Sequence, residues 1–189
     1  MSGAEHPSLL VLDGSLGEPL VARVDLDGSA GRRIRVAAPS DREKGPLPSI
    51  DALFSGADER RRIVAVIAGR GPGSYTGVRS VASAALGASR GLGVPLLSVS
   101  SPAALYRALG TEARLPIGAR EALLVDAAGV RVVSNGARSP VPTLGECGSA
   151  FAAAICDLAW DDVERLMAGE VPPSEPFEID YPAAPRGVA

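Results

Sequence analysis

Residues 63–97, IVAVIAGRGPGSYTGVRSVASAALGASRGLGVPLL, decide the fold. Residues 63–67 are an unbroken β-branched and apolar run, the pattern of a strand covered on both faces. Gly69, Gly71, Pro72 and Gly73 then interrupt regular structure. Ser74 or Thr76 is placed to cap a helix that the pattern carries to about Arg90. Gly91 and Gly93 mark its end, and Pro95-Leu96-Leu97 opens another strand.

The helix within this stretch is unusual. No charged residue occurs between Arg79 and Arg90, whereas a surface helix carries charges opposite its apolar stripe. Val78, Val81, Ala82, Ala85 and Leu92 form one stripe at helical spacing, and the remaining sides are small. Two buried faces are therefore expected, one on a sheet and one against another polypeptide.

Outward from this unit, the chain reads as α/β. Residues 8–13 (SLLVLD), 19–26 (PLVARVDL) and 32–37 (RRIRVA) read as a three-stranded meander, with a turn at Asp27-Gly28. Residues 39–48 read as a polar loop. Leu47, Ile50, Leu53 and Phe54 recur at helical spacing in a short helix that ends at Gly56. After a strand at 95–99, Ser101-Pro102 opens a helix through Leu109. Residues 121–126 and 129–134 read as a hairpin with Ala127-Ala128 at its turn, and Asn135-Gly136 as a further turn. A helical region follows, from Thr143 or Gly145 to Ala168, which Trp160-Asp161-Asp162 divides; residues from Val171 read as a proline-rich tail. The expected division is 1–110 and 111–189.

Composition narrows the function classes. At 189 residues the chain suits one domain or two small lobes. A net charge of -3 argues against a strongly basic nucleic-acid binder, and Arg60-Arg61-Arg62 reads as a solvated turn. The N-terminus lacks a basic start followed by an apolar core, and no apolar run approaches a membrane span. Cys147 and Cys156 have no metal-like spacing. The expectation is a cytoplasmic, reduced protein with no membrane association.

The glycine turn invites a nucleotide reading, which the residues do not support. No Lys-Ser or Lys-Thr pair stands at the helix start, as a P-loop needs. Residues 71–76 only approach G-x-G-x-x-G, and no acid occurs from Gly69 through Thr111 to hold a ribose. A turn that packs strand on helix is favoured over an anion site at the helix start. Residues 73–77 are not G-x-S-x-G. The one histidine, His6, stands near the N-terminus, away from any partner for a nucleophilic triad, and supports no zinc site. No cofactor is expected.

The segment from Gly69 to Arg79, with Gly93-Val94-Pro95-Leu96 and Val99-Ser100-Ser101 after it, resembles the bacterial TsaB (YeaZ-type, glycoprotease-like) family. Its signature turn corresponds here to Gly71, Pro72, Gly73, Ser74, Tyr75, Thr76, Gly77 and Arg79. The resemblance implies the N-terminal lobe of the actin/Hsp70 (ASKHA, ribonuclease H-like) fold, with a five-stranded mixed sheet. Too little chain remains beyond Glu121 for a full second lobe, so that lobe must be reduced. It also implies a non-catalytic scaffold that docks a TsaD-like catalytic subunit for threonylcarbamoyladenosine modification of tRNA beside the anticodon. A TsaE-like ATPase is the further partner, and tRNA is touched only indirectly. The partner surface is assigned to Ile50, Leu53, Phe54, Val78, Val81, Ala82, Ala85 and Ser89, and the same helices could pair two copies as a dimer.

Asp13 matches the acid that ends the first strand of actin-like ATPases, a candidate nucleotide contact. The residues after it, Gly14-Ser15-Leu16, depart from the family pattern, and a structural role accepting turn amides is the favoured reading. The loop before the first helix lacks the family's histidine. Asp126-Ala127-Ala128-Gly129 replaces a family turn, and only Tyr181 and Arg186 echo its terminal signature. The alternatives are a degenerate sugar-kinase-like ATPase and a self-associating domain outside the tRNA pathway.

Overall fold

A computed structural model describes residues 6–27, 31–38, 45–117, 121–134, 142–171 and 176–181. The meander is present as β1 (Ser8–Asp13), β2 (Leu20–Asp27) and β3 (Gly31–Val36). Two short helices follow, α1 (Leu47–Ala52) and α2 (Ala57–Arg61). The deciding stretch is β4 (Ile63–Gly69), α3 (Tyr75–Leu92) and β5 (Leu96–Val99). Beyond it lie α4 (Ser101–Leu109), β6 (Ala113–Pro116), β7 (Glu121–Asp126), β8 (Gly129–Ser134), α5 (Leu144–Leu158) and α6 (Trp160–Met167).

The first five strands form one mixed sheet in the order β3-β2-β1-β4-β5. The meander is antiparallel, whereas β4 runs parallel to both β1 and β5. This is the actin-type, ribonuclease H-like lobe. β1 is buried at every position because both faces of the sheet are covered. Leu10 and Leu12 pack with Val66, Val81 and Ala85 under α3. Leu9 and Val11 point the other way, into a larger cluster with Leu105 of α4 and Phe151 and Ile155 of α5.

The remaining strands form an antiparallel sheet, β6-β7-β8. Leu115, Leu123 and Val125 of this sheet belong to the same cluster as Leu9 and Val11. The short C-terminal part therefore shares its apolar core with the first sheet.

Local chemistry explains the boundaries. The Ser74 side chain accepts from the Gly77 amide at 3.2 Å and starts α3. Gly93, at φ 69°, closes it two residues beyond the expected end, so Gly91 lies inside the helix. α1 stops at Ala52, short of Gly56, and α5 and α6 part at Ala159, one residue before Trp160. α2 and β6 are additions to the sequence reading. In α2 the arginines read as a solvated turn form a helical turn instead, with Arg61 paired to Asp58 at 2.8 Å and Arg60 to Asp51 of α1 at 2.9 Å. The expected Asn135-Gly136 turn, Gly28, Arg186 and residues 39–44 of the polar loop lie outside the described residues.

Candidate functional site

The signature turn is built around a buried carboxylate. Asp13, at the end of β1, is 1% exposed. Its Oδ1 accepts from the Ser15 amide at 2.7 Å and from the Ser15 hydroxyl, and its Oδ2 accepts from Ser101 Oγ at 2.5 Å. Ser101 Oγ accepts in turn from the Gly71 amide at 2.9 Å. Burial pushes the Asp13 carboxyl above the usual carboxylate range, while the bonds from Ser101 and Ser15 pull the other way. The network joins β1, the signature turn and the start of α4 through one side chain.

Two close approaches leave no space for a side chain. A β-carbon on Gly69 would fall 1.7 Å from Asp13 Oδ2. One on Gly14 would fall 2.5 Å from the Gly77 carbonyl oxygen, so the β1 turn and the first turn of α3 meet backbone to backbone. The turn thus packs strand on helix, as the sequence reading favoured. Asp13, offered as a nucleotide contact, is enclosed, with both oxygens engaged by serines.

The residues assigned to a partner surface face mainly inward. Val78, Val81, Ala82 and Ala85 are buried along α3, and Leu53 is buried after α1. Ile50 and Phe54 are half-buried against the same cluster, and the guanidinium groups of Arg23 and Arg60 lie 5.6 and 5.8 Å from the Phe54 ring centroid. The Ser89 hydroxyl donates to the Val94 carbonyl at 2.6 Å and closes the end of α3. The apolar stripe is therefore taken up by the chain's own sheet.

The open surface lies on the opposite side of α3. Thr76, Ser83, Leu86, Gly87, Arg90 and Gly91 are exposed, with Leu86 at 38%. A β-carbon on Gly87 or Gly91 would meet nothing within 4 Å among the described residues. This face is uncharged from Ser80 through Ser89 and small apart from Leu86. Sequence reasoning could have found it by taking the helical phase half a turn from Val81 and Ala85.

One end of this face is covered by the chain's own C-terminal segment. The Asp180 amide donates to the Arg70 carbonyl at 2.9 Å, and its carboxylate is 3.6 Å from Arg70 Nε. Arg79 Nε donates to the Tyr181 hydroxyl at 3.0 Å, and its guanidinium lies 4.0 Å from the Tyr75 ring centroid. The rings of Tyr75 and Tyr181 stand 6.1 Å apart. Phe177 packs against the α3 side of the sheet. Ser83, Leu86, Gly87 and Arg90 stay open among the described residues.

The free thiols of Cys147 and Cys156 are buried, and burial pushes the Cys156 thiol up to about 12. Among the described residues, no group of three or more His, Cys, Asp or Glu side chains is placed to hold a metal ion.

Comparison with known proteins follows the same lines. The family model of TsaD, described as tRNA N6-adenosine threonylcarbamoyltransferase, matches residues 43–175. Among solved structures, YeaZ from Pseudomonas aeruginosa aligns with a TM-score of 0.54 at 22% identity, covering 84% of this chain and 94% of that chain. A second structure from the same organism, an uncharacterized protein with similarity to peptidase YeaZ, aligns with a TM-score of 0.54 at 23% identity and the same coverage. These two structures speak to the fold. No curated protein matches the chain by sequence.

Proposed function

This chain belongs to the TsaD family, and from that premise we propose that it is a TsaB-type scaffold subunit for threonylcarbamoyladenosine modification of tRNA. In this reading it performs no chemistry itself. It docks a TsaD-like catalytic subunit through the outer face of α3, with a TsaE-like ATPase as a further partner in the cytoplasm. In the absence of the catalytic subunit, the same face pairs two copies.

One observation carries the reading: Gly87 and Gly91 stand inside an 18-residue helix and face open space. A glycine within a helix costs roughly 0.5–1 kcal/mol relative to alanine. At Gly77, in the same helix, the cost has a reason within the chain, because a β-carbon there would fall 2.9 Å from the Gly14 carbonyl oxygen; at Gly87 nothing among the described residues needs the missing side chain. Close approach of a second backbone supplies the reason. Tyr75, Tyr181 and Arg79, at the end of this face, are residue types that anchor protein interfaces. Contact with tRNA through the partner fits the charges, because Arg60, Arg61 and Arg32 are each ion-paired to an acid of the chain. Among the described residues no helix is long and apolar enough to cross a membrane.

The test is complementation in bacterial cells depleted of their own TsaB, scored by threonylcarbamoyladenosine in bulk tRNA. Restoration, together with co-purification of the TsaD-like subunit, is expected. Tight magnesium-nucleotide binding by the isolated chain, lost in Asp13→Ala and without restored modification, would replace this reading with that of an ATPase.

A further inference from the structure

The sheet surface remote from α3 holds a cavity of about 520 Å³, between the β2–β3 end of the sheet and α6. Its volume falls in the range of small-molecule sites. Leu26 and Val163 form a buried apolar floor, and Met167 stands exposed at the mouth. Trp160 lines one side, and its Nε1 donates to Glu164 Oε1 at 2.7 Å.

The charges of the lining are unbalanced. Arg32 stacks 4.1 Å from the Trp160 ring centroid and pairs with Asp157, which also receives Arg107 Nε at 3.1 Å. Its guanidinium is thus engaged on its face and at its edge. Asp27 and Glu164 add two carboxylates at the rim. Among the described residues, Asp27 has His6, at 3.2 Å, and the exposed Arg33, at 4.0 Å, as ionic neighbours. An apolar floor beside two rim carboxylates matches a cation that carries an apolar stem.

We propose that this cavity binds a small organic cation of the alkylammonium class. Its stem lies on Leu26, Val163 and Met167, and its head is held by Asp27 and Glu164. The site is independent of the α3 surface, and its failure would leave the scaffold reading intact.

Trp160 is the only tryptophan of the chain, so its emission reports this cavity alone. The whole protein is titrated with hexylammonium, with hexanol and hexanoate as matched probes and calorimetry as a second readout. A saturable change is expected with hexylammonium, weaker binding with hexanol and none with hexanoate. The paired substitutions Asp27→Asn and Glu164→Gln, both at exposed positions, should weaken hexylammonium binding roughly tenfold. Met167→Arg should block it by placing a cation at the mouth, with the thermal midpoint unchanged. Absence of saturation, binding unaffected by the paired substitutions, or hexanoate or zwitterionic 6-aminohexanoate binding as tightly as hexylammonium would overturn the proposal.

Discussion

The turn that starts α3 and the outer face further along the same helix are both rich in glycine, for opposite reasons. At the turn, a β-carbon on Gly14 would lie 2.5 Å from the Gly77 carbonyl oxygen, and one on Gly69 would strike Asp13. On the outer face, Gly87 and Gly91 look into open space. The first set is demanded by the fold of the chain itself. The second weakens the helix with no contact to any described residue, which is the feature that the proposed docking surface would explain. A small residue is thus informative only once the space around it is known.

Substitutions test this contrast in order of expected effect. Val81 is 1% exposed against the sheet, so Val81→Arg buries an unpaired charge. It should cost more than about 4 kcal/mol in urea unfolding. Near-normal stability would show that the inner and outer faces have been exchanged. Gly14→Ala drives a methyl group into backbone and should cost about 3 kcal/mol by the same measurement. Ser101→Ala strands Asp13 Oδ2 and the Gly71 amide, for a loss of about 1–3 kcal/mol.

The Asp13 network also has a pH signature. Burial raises its carboxyl pKa in the folded chain, so between 3.8 and that raised value the folded state holds a proton the unfolded chain has released. Its contribution to stability therefore falls as pH rises through this window. Asp25 and Asp157 have the opposite sign: burial raises each, but the bonds from Ser8 and Arg23, and from Arg32 and Arg107, outweigh it and leave both carboxyls lowered. The test is consequently the difference between the wild-type chain and Asp13→Asn, measured by urea unfolding from pH 4 to 8. The wild type should lose stability relative to the variant as pH rises. A flat difference would mean that Asp13 titrates normally and is not enclosed.

The sheet was legible because its residues leave few choices. SLLVLD and IVAVI read as strands, although β4 runs on through Gly69, which the sequence reading placed in the turn, and Ser74, Gly93 and Ser101-Pro102 mark helix ends by their own chemistry. Residues 57–61, ADERR, carry no apolar period, and ion pairs with acids of α1 and α2 stabilise that turn. The partner stripe was assigned from apolar spacing, which finds whichever face is buried; here the chain's own sheet already buries it. Ser83 and Gly87 carry the complementary signal, a face with no charge and, Leu86 apart, no bulk. Tyr181 reaches Arg79 across 102 positions, and nothing local in either residue announces that contact. Trp160 begins α6 just after the break that its segment announces, and its stacking with Arg32 from the far edge of the sheet is what nothing local announces.

The most direct measurement is made on Gly87→Arg, with urea stability and affinity for the TsaD-like subunit determined on the same preparation. The side chain enters open space, so stability should hold or rise by up to about 0.5–1 kcal/mol as the helix loses a glycine. Association should be abolished, along with any pairing of two copies. A variant that folds as well as the wild type and still binds the catalytic subunit with undiminished affinity would contradict the account, because the open face of α3 would then not be the surface that meets a partner.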